Sequence, residues 1–230
     1  AFFEVYTKVN KDTREITEEQ VIEFKQFAGL ESANKNDETL MLGFRDYMLD
    51  KYIKKVQEAG YTGVVYVQDT GGSNPTRSKL GVFSPGTLFS VDSGEITNNT
   101  SCIWINQTRK TVLNKEGNII IGMSNIDIYT GKTTLFELCV ENMHNPTTYD
   151  ELERYICTYN PSEIILISNV GEEKIRDIMN YANINSKAIH IVNSEDEHNK
   201  LIKNIEKQSY QTTLLKEYYN NNIAETILYS

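Results

Sequence analysis

Residues 163–168 read Glu163-Ile164-Ile165-Leu166-Ile167-Ser168, a near-continuous apolar run. Such a run is typical of a strand buried in a parallel sheet, where both faces are covered. The apolar spacing after it predicts a helix over 172–181, and a further strand follows over 188–192. Alternating strands and helices of this kind indicate a sheet with helices packed against it.

The region before this run is richer in strands. Strands are predicted over 102–106, 118–129 and 132–140, with Gly131 in the turn between the last two, and a helix is predicted over 149–159. A three-stranded meander followed by alternating helices and strands is the layout of the ribonuclease H-like fold. We therefore expect residues 99–230 to form one such α/β domain, completed by helices over 195–205 and 212–219.

Residues 1–90 predict a small mixed α/β domain with a different pattern. Thr17 and Gln20 have the spacing of a capping box at the start of a short helix that ends near Gly29. A polar stretch, 88–100, is expected to link the two domains. The remaining predicted elements are a strand over 2–9, a turn-like polar stretch over 31–39, a helix over 46–59, strands over 62–68 and 80–83, and a turn over 69–75.

Composition places the chain among globular proteins. Hydrophobic residues make up 39% of the 230 residues and charged residues 24%. No apolar run approaches the roughly 18 residues that span a bilayer, so we expect no membrane partner. Three cysteines without CxxC spacing favour reduced thiols and an intracellular location. The abrupt start at Ala1 and end at Ser230 suggest a piece of a longer protein.

The charge is unevenly distributed. The net charge is −9, of which about −2 lies in residues 1–90 and about −7 in residues 91–230. Because neutralisation of phosphates supplies much of the affinity for nucleic acids, an acidic chain is expected to bind DNA weakly on its own.

Four short motifs in the first part follow one another in a distinctive order. They are Phe2-Phe3-Glu4, Met41-Leu42-Gly43-Phe44, a glycine and strand over 60–68, and Arg77 and Lys79 before Ser84-Pro85-Gly86-Thr87. Two more follow, over 126–131 and 159–164. Together they resemble the MutS family of DNA mismatch repair proteins over nearly the whole chain. Phe44-Arg45-Asp46 departs from the family, many members of which have an apolar residue and proline there.

This resemblance implies a mismatch-recognition domain over 1–90 and a connector domain over 99–230. It implies duplex DNA with mismatched or unpaired bases as the partner. It implies no catalytic residue, metal or cofactor in this chain. A full-length relative would form a homodimer, bind ATP and Mg²⁺ in a downstream ATPase domain, and contact a MutL-like partner through the connector. The implied DNA-binding residues are Phe2, Glu4, Met41, Gly43, Arg77 and Lys79.

The physical case for Phe2 and Glu4 stands beside the resemblance. Residues two apart in a strand point to the same face, so Phe2 and Glu4 project together while Phe3 points to the core. An aromatic wedge unstacks a mismatched base most easily, because such a base is already poorly stacked. A carboxylate beside it would accept a hydrogen bond from a displaced base and would repel ordinary backbone phosphates.

Two alternatives remain open. A ribonuclease H-like domain can host a metal-dependent nuclease, for which Asp127, Glu137 and Glu163 are the candidate carboxylates. The chain could also be an interaction scaffold without mismatch preference, which its acidity favours. No G-x-x-x-x-G-K-[ST] phosphate loop occurs in the sequence, so ATP binding is not expected in this chain.

Overall fold

The protein has a mixed α/β fold, as expected. The computed structural model describes residues 2–10, 12–13, 15–69, 76–89, 96–110, 112, 115–142, 146–186, 188–196, 202 and 204–219. Ten β-strands and five α-helices lie in these ranges. None of the helices described there is long and apolar enough to span a membrane.

The first part of the chain contains a three-stranded sheet and a separate hairpin. Its elements are β1 (Phe2–Lys8), α1 (Glu19–Ala28), β2 (Ser32–Asn36), β3 (Thr39–Arg45), α2 (Leu49–Glu58), β4 (Gly63–Asp69) and β5 (Thr76–Phe83). The sheet is antiparallel in the order β1-β3-β2, and β4 pairs with β5. The cluster buried between this sheet and helices α1 and α2 consists of Phe24, Ala28, Leu42 and Tyr52.

A five-stranded sheet forms the second part. Its elements are β6 (Asn99–Gln107), β7 (Asn118–Asp127), β8 (Thr133–Glu141), α3 (Asp150–Tyr159), β9 (Glu163–Ser168), α4 (Glu172–Tyr181), β10 (Ala188–Asn193) and α5 (Gln208–Tyr219). The strand order is β10-β9-β6-β7-β8. Strands β6, β7 and β8 form an antiparallel meander, and β9 and β10 continue it in parallel with β6. This is the topology expected of the ribonuclease H-like fold.

One face of this larger sheet carries the main core. Alternate residues of β6, β7 and β9 point to α3 and α4, as the twofold period of a strand requires. Ile103, Ile121 and Leu166 are fully buried there.

The predicted division of the chain into domains over residues 1–90 and 99–230 stays a prediction.

Several predicted elements are confirmed. Strand 163–168 and helix 172–181 have the predicted bounds. Gly29 and Gly131 adopt φ values of 65° and 70°, which the ends of a helix and of a tight turn require. Strand β5 begins at Thr76, four residues before the predicted start. Most of the predicted turn over 69–75 lies outside the described residues, and β6 begins inside the predicted linker, at Asn99.

The turn-like prediction for residues 31–39 is wrong, because these residues form β2 and the start of β3. Strand β2 is polar and almost wholly exposed at the sheet edge, so its sequence shows no apolar alternation. The strand forms because its backbone groups make hydrogen bonds with those of β3.

Two helix predictions also need correction. Helix α1 has Glu18 at its N-cap, with no side-chain capping bond, rather than Thr17. Glu18 instead accepts a hydrogen bond of 2.7 Å from the Thr7 hydroxyl, which fixes the helix start to β1. The helix predicted over 195–205 is absent from its described residues: Glu195 and residues 204–205 lie in turns.

Candidate nucleic-acid interface

Strand β1 presents three side chains to solvent from one face. Phe2, Glu4 and Tyr6 are exposed, with 66% of Phe2 and 40% of Tyr6 accessible, whereas Phe3 and Val5 are partly buried on the other face. The predicted geometry of Phe2 and Glu4 is therefore confirmed. Burying an aromatic stabilises a protein, so a phenylalanine held two-thirds exposed is available to a partner.

The pairing of β1 with β3 brings Met41 and Gly43 to the same sheet as this face. Gly43 lies opposite Glu4, and Met41 lies opposite Tyr6. Met41 and Gly43 lie within β3, in which the fully buried Leu42 between them packs inward when the strand pairs with β1.

Gly43 leaves open space beside the Glu4 carboxylate. A Cβ atom built at Gly43 would meet only the Phe3 carbonyl oxygen, at an ordinary 3.7 Å, so packing does not require glycine here. A glycine within a strand costs stability and often marks a place where a ligand approaches the backbone closely.

Two cations that sequence reasoning missed lie over the exposed rings. The Arg45 guanidinium carbon lies 5.9 Å from the centre of the Phe2 ring. The Lys35 ammonium lies 5.7 Å from the centre of the Tyr6 ring. Cations at these distances are attracted by the face of the ring. Only the strand register, in which Phe2 pairs with Arg45, reveals the first contact.

The hydroxyl of Tyr6 donates a hydrogen bond to Oε2 of Glu4. This bond is the main reason why the pKa of Tyr6 is raised, with a smaller contribution from burial. A tyrosine hydroxyl is protonated at neutral pH even at its ordinary pKa, so Tyr6 acts as the donor to Glu4. Phe2, Glu4 and Tyr6 thus form one exposed row on β1, in which Glu4 and Tyr6 are hydrogen-bonded to each other.

Arg77 and Lys79 lie on β5 and share one face of the hairpin. They pair with Gln68 and Tyr66 of β4. A cleft of about 850 Å³ separates β1 from the hairpin, and Phe2, Glu4 and Arg77 line it. Lys79 does not line this cleft. The structure thus places Arg77 on the same cleft as Phe2 and Glu4, and Lys79 two residues further along the same strand.

Two lysines of helix α2 that could also have faced DNA have partners within the fold. Lys54 lies 3.8 Å from the carboxylate of Glu58, one turn away. Lys55 donates a hydrogen bond of 2.6 Å to the Phe27 carbonyl, which ties α2 to α1.

A hydrogen-bonded junction joins the first part of the chain to the larger sheet. The amide of Gly86 donates to Oε2 of Glu163 at 2.9 Å, and Oε1 of Glu163 lies 2.8 Å from Nε2 of His190. The Thr100 hydroxyl donates to the Gly86 carbonyl at 3.2 Å. Asn98, placed by sequence in a linker, is buried and donates to the Pro85 and Leu88 carbonyls.

The structure does not bring the three candidate nuclease carboxylates together. Asp127 accepts hydrogen bonds from the Thr130 hydroxyl and from backbone amides, which lower its pKa. Glu163 belongs to the junction, and Glu137 is exposed in mid-strand of β8, opposite Gly122 of β7. Among the described residues, no group of three or more His, Cys, Asp or Glu side chains could hold a metal ion.

Comparison with known proteins supports a MutS-like relationship. The chain is 27% identical over 194 residues to the mutS homolog L359 of Acanthamoeba polyphaga mimivirus, whose name assigns it to DNA mismatch repair. The match covers 80% of this chain and 17% of that protein. No family model matches the chain.

A solved structure, that of Fowlpox virus resolvase in complex with Holliday junction DNA, is 17% identical to the chain. It covers 54% of this chain and 83% of the resolvase, with a TM-score of 0.27. A TM-score this low supports no conclusion about fold or function.

Proposed function

We propose that this chain is the mismatch-recognition and connector part of a MutS-like protein, and that Phe2 is a wedge for mismatched or unpaired bases in duplex DNA. The observation that carries the proposal is the exposed Phe2 ring beside Glu4 on an uncovered strand face. The similarity to the mimivirus mutS homolog supports it independently.

The energetics favour mismatches without reading the base sequence. Unstacking a base step costs a few kcal/mol, and stacking on an aromatic ring returns about 1–3 kcal/mol. Insertion of the ring is therefore favourable only where the bases of the duplex are already poorly stacked. Glu4 adds discrimination because its charge opposes the approach of ordinary backbone phosphates while its oxygens accept hydrogen bonds from a displaced base.

The other predicted residues are assigned supporting roles. Gly43 leaves room for a displaced base to approach the strand beside Glu4, and Met41 contacts the DNA from the next position on that face. Arg77 and Lys79 contact phosphates, which positions the duplex but reads no sequence. The cleft between β1 and the hairpin, which Arg77 lines, supports this assignment for Arg77 more directly than for Lys79.

The test is a titration of the 230-residue chain with labelled duplexes that differ by one mismatch or one unpaired base. The titration is repeated at several ionic strengths, because salt weakens the contacts of Arg77 and Lys79 with phosphates and also screens the repulsion between the acidic chain and DNA. We expect a preference for the imperfect duplexes, and Phe2→Ala should lower it by about 5- to 150-fold if stacking contributes 1–3 kcal/mol. Phe136→Ala, which removes an exposed phenylalanine from β8, is the matched control. Equal loss on all duplexes contradicts the wedge.

We also propose that the larger sheet catalyses no reaction and that the chain binds no metal or cofactor. The separate locations of Asp127, Glu137 and Glu163 support this, because two-metal cleavage of phosphodiesters needs carboxylates that converge. The scaffold alternative has the net charge of −9 in its favour and predicts no preference for mismatches in the same titration.

The chain spans 17% of the length of the mimivirus relative, so further properties are proposals about a longer protein. They include a homodimer, an ATP- and Mg²⁺-dependent domain, a MutL-like partner contacting the connector, and a location inside the cell where DNA is present.

A further inference from the structure

We infer that Tyr6 is a positioning residue that holds the Glu4 carboxylate in the orientation needed to recognise a displaced base. This inference rests on the proposed function. It adds a specificity-determining residue that the sequence motifs did not single out.

Tyr6 fixes the direction of the Glu4 carboxylate within the row of Phe2, Glu4 and Tyr6. An exposed glutamate on a strand samples several rotamers, so its carboxylate has no fixed direction. The Tyr6 hydroxyl bonds Oε2 of Glu4 and thereby selects one orientation. Oε1 then remains as the acceptor for a partner.

The surroundings of Glu4 and Tyr6 decide from which side a partner can reach the carboxylate. Gly43 opposite Glu4 contributes no side chain that could hold the carboxylate or block access to it. The Lys35 ammonium over the Tyr6 ring holds the ring that carries the donor hydroxyl. Arg45 lies at the other end of the row, over Phe2. The carboxylate is thus oriented from one side, by Tyr6, and open on the side of Gly43.

The Tyr6 hydroxyl is protonated at neutral pH, as any tyrosine is, and its hydrogen bond to Glu4 raises its pKa further. The phenol therefore donates to Glu4 and does not compete as a second anion beside the phosphates.

A double-mutant cycle tests the inference. Affinities for matched and mismatched duplexes are measured with the wild-type chain, Tyr6→Phe, Glu4→Ala and the double variant. Tyr6→Phe keeps the ring and its contact with Lys35 but removes the donor. A net hydrogen-bond contribution of the usual size predicts a roughly two- to tenfold loss of mismatch affinity. Matched binding should not change, and Tyr6→Phe should have no further effect in the Glu4→Ala background.

Tyr47→Phe, which removes a hydroxyl from a side chain that is 74% exposed, is the control and should change neither affinity. The inference is overturned if the effects of Tyr6→Phe and Glu4→Ala are additive, or if Tyr6→Phe changes the affinities for both duplexes equally. The proposed function still stands in that case, provided that Phe2→Ala lowers the preference for mismatches. If the wild-type chain shows no mismatch preference and Phe2→Ala changes nothing, both are overturned.

Discussion

Replacing Gly86 by alanine should destabilise the junction between the two parts of the chain. The added Cβ would lie 2.3 Å from Oγ1 of Thr100, 2.5 Å from Oε2 of Glu163 and 2.9 Å from Cβ of Glu163. The contact with Cβ cannot be relieved by rotating the end of the Glu163 side chain. Either the backbone of residues 85–87 or the whole Glu163 side chain must move.

The cost follows from the hydrogen bonds that such a movement breaks. They are the bonds from Gly86 to Glu163, from Thr100 to Gly86 and between Glu163 and His190. At about 0.5–1.5 kcal/mol each, their loss lowers the free energy of unfolding by about 2–4 kcal/mol. A polar group of Glu163 left unpaired would add to this value, because Glu163 is largely buried.

Urea denaturation of the full chain, followed by circular dichroism, measures the effect. Gly122→Ala is the matched control, because its Cβ would meet only Cβ of Trp104, at 4.0 Å. We expect Gly122→Ala to change stability by less than about 1 kcal/mol. A Gly86→Ala variant as stable as the control would refute the close contact at the junction.

Three further predictions concern charge. Glu4→Ala should strengthen binding to matched DNA, by an amount that falls as salt rises, and should leave mismatch binding weaker or unchanged. No change in either affinity at low salt would contradict the role of Glu4. Arg77→Ala should weaken binding to matched and mismatched duplexes equally and lower the salt slope by about 1, whereas Lys54→Ala, which removes an ammonium paired with the carboxylate of Glu58, should not. A salt slope that Arg77→Ala leaves unchanged would exclude a phosphate contact by Arg77. Asp127→Asn should destabilise the chain at neutral pH, because the folded state lowers the pKa of Asp127 through the Thr130 hydroxyl and backbone amides. The difference from wild type should shrink as pH falls below about 4 towards the folded pKa, in thermal melts at several pH values. Mg²⁺- or Mn²⁺-dependent DNA cleavage that Asp127→Asn abolishes would instead support the nuclease alternative.

The second part of the chain was the more predictable from sequence. Strand 163–168 and helix 172–181 have strong apolar patterns because their residues pack in the main core. The edge strand β2 was missed because both its faces are exposed, so packing imposes no pattern on its residues. The sequence pattern did not predict β3 either, because Gly43 interrupts the apolar alternation of the strand opposite Glu4.

The candidate interface was predictable only in part. The common face of Phe2 and Glu4 follows from the twofold period of any strand. Arg45 joins this face through strand pairing across 43 positions of sequence, which no local pattern encodes. The link from Gly86 to Glu163 spans 77 positions and depends on how the first part meets the larger sheet.

Insertion of the Phe2 ring into a mismatched duplex can be observed most directly with a fluorescent base analogue placed beside the mismatch. The emission of such an analogue rises when it loses its stacking neighbour. We expect the wild-type chain at saturation to raise the emission of the mismatched duplex but not that of the matched one. The Phe2→Ala variant should cause no rise even at concentrations that saturate the mismatched duplex. A rise that Phe2→Ala retains, or the same rise in both duplexes, would contradict wedge insertion by Phe2.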